Sequence, residues 1–141
     1  MKQEDKELLL VDLCARLPYG VIGLYTWKNK RSYDKELTGN LYDELKSSWN
    51  STEDSQFLPY LRPMSSMTEE EKHYIDNRWG ADNYGDIITY SSYEGGMSTV
   101  ELADIIGFQD WLNAHHFDYR NLIEKGLAFE APEGMYKEEQ Q

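Results

Sequence analysis

The chain has 141 residues, 26 Asp/Glu against 14 Lys/Arg, a formal net charge of −12 and one cysteine. That length suits one domain, a single cysteine excludes an internal disulfide, and 11 Tyr, 4 Trp and 4 Phe set the sequence apart from a disordered acidic tail. No apolar run approaches the ~20 residues that span a bilayer, and the acidic start Met1-Lys-Gln-Glu-Asp-Lys-Glu is unlike a signal peptide, so a cytoplasmic protein is expected, in the host cell if phage-encoded.

In chain order, residues 3–17 read as an amphipathic helix. Leu10, Leu13, Cys14 and Leu17 fall at i, i+3, i+4 and i+7, which predicts a buried, inert Cys14 thiol. Pro18-Tyr19-Gly20 ends the helix, and Val21 to Trp27 is a β-rich run. Leu37-Thr-Gly-Asn-Leu41-Tyr42 is read as a second short strand, and Ser47 to Ser55 as a polar loop. Phe57 to Pro63 is extended, because each proline disfavours helix at the residue before it.

Thr68-Glu69-Glu70-Glu71 is a capping box, with Glu71 three residues after a Thr N-cap, and opens a helix to about Arg78. Asp86 to Tyr90 reads as a strand and Gly95-Gly96 as a turn. Ser98-Thr-Val-Glu101 is a second capping box, opening the longest helix, to about Ala114, with Leu102, Ile105, Ile106, Trp111 and Leu112 as its apolar side. Asp118 is placed as the cap of a short helix ending at Gly126, followed by a strand over 127–130 and a frayed tail from Lys137. The expected fold is α+β: one small domain over 1–136 with an N-terminal helix, a small antiparallel or mixed sheet and two to three further helices.

Motifs for chemistry are sparse. There is no phosphate-binding glycine loop, nucleophile elbow or HExxH, and Asp82, Asp86 and Glu94 do not have calcium-loop spacing. No cofactor is expected. His115, His116 and Asp118 are the weak candidates for a metal or acid/base site, with His73 as a distant further ligand. Their bland reading is a helix end, where histidine complements the dipole and Asp118 caps the next short helix.

The charge is lopsided. Residues 1–50 carry eight basic and eight acidic residues; residues 51–141 carry six basic and eighteen acidic. Direct nucleic-acid binding is disfavoured, since only Lys28, Lys30 and Arg31 cluster. The acidic excess serves solubility on one reading, and on another forms a face complementary to a basic protein surface. The residues expected to meet such a partner are Glu69, Glu70, Glu71, Asp76, Asp82, Asp86 and Glu94, with Tyr84, Tyr90 and Tyr93 packing beside them.

Three blocks, LLLVDLCARLPYGV (8–21), PYLRPMSSMTEEE (59–71) and NAHHFDYR (113–120) with Gly126 to Tyr136, resemble a group of small acidic proteins of gut Bacteroidales and their prophages. The resemblance covers about a third of the chain and implies a mobile-element setting without an activity. Joined to the charge, it suggests an inhibitor of a host defence protein, for example an anti-CRISPR occupying a basic nucleic-acid groove of an effector such as Cas9. The alternatives are a non-inhibitory adaptor using a Tyr-rich surface, and a metal-dependent enzyme using the His-His-Phe-Asp cluster.

Overall fold

A computed structural model of the chain describes residues 2–27, 31–48, 56–79 and 99–136. Helix α1 (Gln3–Arg16) leads into a 3-10 turn (Leu17–Tyr19), then strands β1 (Ile22–Trp27) and β2 (Arg31–Glu36), helix α2 (Gly39–Ser48) and strand β3 (Gln56–Pro63). A second 3-10 turn (Met64–Ser66) precedes α3 (Glu69–Trp79); α4 (Thr99–Ala114) and the two-residue strands β4 (Phe117–Asp118) and β5 (Phe129–Glu130) complete the fold. This is the α+β architecture expected from the sequence, with a mixed sheet of five strands among the described residues.

β1 pairs antiparallel with β2 on one side (Tyr25↔Tyr33) and with β3 on the other (Leu24↔Leu58). Val21, Gly23 and Tyr25, with Phe57, Pro59 and Leu61, alternate into the interior at the two-residue period of a sheet with one buried face. β4 and β5 both run parallel to β3, at Arg62–Pro63 and Tyr60–Leu61 respectively. They take opposite edges: the Leu61 carbonyl accepts from the Ala131 amide, whereas the next residue, Arg62, turns its amide the other way to the His116 carbonyl.

The segment after β1 corrects the sequence reading twice. Residues 31–36 form a strand although every side chain is exposed, so no apolar alternation marks it. Residues 39–48, read in part as a strand, are a helix capped by Thr38, whose Oγ1 accepts from the Leu41 amide at 3.2 Å. Leu37, Leu41 and Leu45 recur at four-residue spacing and are all buried, which is the helical signal. Of the predicted polar loop at 47–55, residues 47 and 48 belong to α2 and residues 49–55 lie outside the described residues.

The buried face of α1 is also not the predicted one. Leu9, Asp12, Leu13 and Arg16 point inward, while Cys14 is exposed and Val11 is 55% exposed. The helical template is right but displaced by one residue, because two of its four buried members are charged. Arg16 and Asp12 are both fully buried, joined through Nε–Oδ2 at 2.7 Å and Nη2–Oδ1 at 3.1 Å. Arg16 Nη2 also donates to the Phe117 carbonyl at 2.7 Å, and Arg120 Nε donates to Asp12 Oδ1 at 3.0 Å. A polar triad therefore clasps the first helix to the chain around β4.

Two apolar cores result. The larger joins α1, α2 and the sheet through Leu9, Leu13, Tyr25, Leu41, Leu45, Phe57 and Leu61. The smaller gathers Met67, Ile75, Phe108, Leu112 and Phe117 between α3 and α4. On α4, Phe108 and Leu112 carry the packing, whereas Ile106, expected on the apolar side, is 52% exposed.

The capping expectation at 118–126 holds in part. The Asp118 carboxylate accepts from the amides of Leu122 (2.8 Å) and Ile123 (3.0 Å), but the segment is a turn and not a helix. It closes with Gly126 at φ 77 and the Leu127 amide returning to the Leu122 carbonyl. Among the described residues no helix is long and apolar enough to cross a membrane. The predicted strand at 86–90, the turn at 95–96, the Ser98 cap and the tail from Lys137 lie outside the described residues.

Candidate functional site

The capping box of α3 positions the site. Thr68 Oγ1 accepts from the Glu71 amide at 3.2 Å, and Glu71 Oε1 accepts in return from the Thr68 amide at 2.9 Å. The same Glu71 carboxylate grips Arg62 in a fork, with Nη2–Oε1 at 2.7 Å and Nη1–Oε2 at 2.8 Å. Arg62 lies at the end of β3, so this pair fixes the entry of α3 against the sheet. The Arg62 guanidinium carbon lies over the Phe117 ring, 4.1 Å from its centroid. Burial works to raise the Glu71 carboxyl, but hydrogen bonds from Arg62 and Thr68 and the nearby guanidinium outweigh it and hold the group below its ordinary value.

Aromatic rings continue outward from Phe117. Trp111 lies nearly parallel to it at 5.9 Å, and Tyr74 lies nearly parallel to Trp111 at 5.7 Å. His115 stacks on Trp111 at 4.2 Å, with Nδ1 2.9 Å from the Trp111 carbonyl. A carbonyl only accepts, so in the neutral ring Nδ1 carries the proton and Nε2 is the acceptor.

Arg62, Glu71, Tyr74, Trp111 and His115 border a groove of about 1070 Å³ between the start of α3, the end of α4 and residues 130–136. Glu70, Glu130 and Glu133 line it from α3, β5 and the C-terminal segment, beside Tyr74, Trp111 and His115. The three carboxylates are exposed, and among the described residues no cation pairs with any of them. Segments 59–71, 113–120 and 126–136 meet at this groove.

The structure separates the three adjacent glutamates. Glu69 pairs with Lys72 at 3.1 Å, Glu71 is turned inward to Arg62, and Glu70 alone of the three faces the groove with no cation partner among the described residues. Asp76 falls within α3. Asp82, Tyr84, Asp86, Tyr90, Tyr93 and Glu94 lie outside the described residues. Glu130, Glu133, Tyr74 and Trp111 were missed in the sequence, because nothing local marks four residues from three segments as neighbours.

The metal candidates diverge. His116 lies at φ 64, fully buried, with its ring stacked 3.7 Å from that of Tyr136. His115 turns to Trp111, and both Asp118 oxygens accept from backbone amides. Among the described residues, His73 included, no group of three or more His, Cys, Asp or Glu is placed to hold a metal ion. A second cavity of about 390 Å³ borders Asp118, Asn121 and Ser66, where the one buried carboxylate is the same amide-bound Asp118.

No family model, curated protein or solved structure matches the chain.

Proposed function

We propose that the protein is a binding protein whose groove receives a basic surface of another protein. The observation that carries this reading is the convergence of Glu70, Glu130 and Glu133 on one groove beside Tyr74 and Trp111. Carboxylates that lack a cation partner among the described residues are complementary to one supplied by a partner, and aromatic rings beside them add contact area at little cost in side-chain entropy. The surplus of acidic residues after position 50 steers a basic partner toward the molecule.

The finer proposal is a mobile-element inhibitor of a host defence protein, an anti-CRISPR that occupies the basic nucleic-acid groove of an effector such as Cas9. Its support is the net charge of −12 and the resemblance to prophage proteins. Here the carboxylates stand where phosphates stand.

The test is guided DNA cleavage by a purified effector with the wild-type protein and with Glu70→Lys/Glu130→Lys/Glu133→Lys. Inhibition by the wild type that the triple reversal abolishes, and that weakens steeply as salt rises from about 50 to about 300 mM, is the expected result. Inhibition untouched by the reversal removes the groove from the mechanism, and no inhibition by the wild type removes the inhibitor proposal. Capture of a partner that is indifferent to salt points to the adaptor reading instead.

A further inference from the structure

We infer that the groove takes an extended basic segment of its partner, which runs on past Glu130 into the neighbouring smaller cavity. This rests on the proposal that the groove binds a basic protein surface, and names the kind of surface it takes.

The two cavities are contiguous. Pro63, Ser66 and Glu130 line both the groove of about 1070 Å³ and the cavity of about 390 Å³. The divide lies where the 3-10 turn over Met64–Ser66 begins, and Ser66 Oγ donates to the Pro63 carbonyl there at 2.7 Å. The exposed carboxylates fall in an order across it. Glu70 and Glu133 line the groove alone, Glu130 stands at the divide, and Glu124 lines the smaller cavity alone. None of the four has a cation partner among the described residues. Asp118 also borders the smaller cavity, but its oxygens accept from the Leu122 and Ile123 amides. Among the described residues that line the two cavities, Arg62 is the one lysine or arginine, and Glu71 holds it in a fork.

A row of carboxylates that crosses a divide matches cations carried along a chain. In an extended segment every second side chain points to the same side, so successive Lys or Arg residues follow the row. A convex folded surface seats in one depression and leaves the carboxylate beyond the divide to water. Repulsion between like charges keeps a basic segment extended before it binds. Charge complementarity thus bears on the shape of the partner as well as on its sign.

The test is titration of the full-length protein with a nona-lysine peptide, followed by backbone amide NMR shifts, against a nona-glutamate control. The expected result is that amides of residues 121–124 and of residues 130–134 move together with a single midpoint. Glu124→Gln and Glu70→Gln, both at exposed positions, are each expected to weaken nona-lysine about two- to fivefold, the factor that one exposed charge pair supplies. Shifts confined to the larger groove, or different midpoints for the two cavities, overturn the extended-segment assignment and leave the acidic-groove reading standing. Shifts that leave the larger groove still overturn both, as do shifts no greater than those of the control. Equal shifts at the acidic start of α1, which lines neither cavity, also overturn both, since charge alone then attracts the peptide. The wild-type titration depends on no variant, so it decides the matter even if a variant does not fold.

Discussion

The ring of Tyr136 lies 3.7 Å from that of His116, and its hydroxyl fills the gap that β1 leaves along β3. The hydroxyl accepts from the Ile22 amide at 2.9 Å and shares its proton between the carbonyls of Tyr60, at 2.8 Å, and Ile22, at 3.1 Å. Immediately beyond it on the same edge, the His116 carbonyl receives the Arg62 amide at 2.7 Å. One side chain from the C-terminal segment thus joins the antiparallel part of the sheet to its parallel part. Replacing Tyr136 by Phe keeps the stack and removes the hydroxyl, so the loss of stability expected is about 1–3 kcal/mol. Urea unfolding monitored by circular dichroism measures it, and an unchanged midpoint would show that the hydroxyl is not a structural link.

Glu71 makes folding stability depend on pH in a definite direction. Its carboxyl is held below the ordinary value of 4.5 in the folded state, so its contribution is fully present above that value and is lost as pH falls through the folded-state value. Urea midpoints of the wild type should fall between about pH 5 and pH 3. Glu71→Gln starts lower at neutral pH, by about 1–2 kcal/mol for the lost ion pair and weakened cap, and should fall less over the same interval. Parallel profiles for the two proteins would contradict the assignment.

Asp12 and Arg16 are both fully buried, so breaking the pair from one side leaves a charge in the interior. Asp12→Leu or Arg16→Met alone should cost about 3–5 kcal/mol, a large part of the stability of a domain this size. The double variant should be markedly more stable than the sum of the two single losses predicts, because it leaves neither charge stranded. Arg120, whose side chain is 27% exposed, can turn to water when Asp12 is gone. A double-mutant cycle by thermal unfolding reads the coupling, and simple additivity would refute it.

Gly23 lies where β1 crosses the Phe57 ring. A Cβ there would fall 2.5 Å from Phe57 Cε1 and Cζ and 2.8 Å from the Leu58 carbonyl oxygen. Gly23→Ala should cost about 1–3 kcal/mol through forced displacement. Adding Phe57→Leu should recover only part of it, since the Leu58 carbonyl remains in the way. Thermal melts of the two variants test this, and a neutral Gly23→Ala would sink it.

Elements whose signals are local were legible in advance. The Thr68–Glu71 box marks α3 because its hydrogen bonds close within four residues, and Asp118 marks a cap for the same reason. Extended structure at 57–63 follows from two prolines. β2 escaped notice because Arg31 to Glu36 has no apolar face and is held by its pairing with β1. At 37–42 a window of only six residues hid the longer spacing of Leu37, Leu41 and Leu45. In α1, counting apolar residues alone put the buried face one residue too far along, since no apolar count reveals that Asp12 and Arg16 satisfy each other inside.

By itself, the amino-acid order determined the fold class, the boundaries of α1 and α3, the acidity of the later part of the chain and the capping chemistry of Thr68 and Asp118. These follow from contacts between residues a few positions apart and from composition, neither of which requires knowledge of the rest of the chain. Only the tertiary structure decided which of the three successive glutamates faces outward, that the two adjacent histidines part company, and that Glu130 and Glu133 meet Glu70 at one groove. Those outcomes depend on Arg62, Trp111 and Tyr136 arriving from distant segments, and burial and charge pairing between distant segments leave no periodic mark on the sequence.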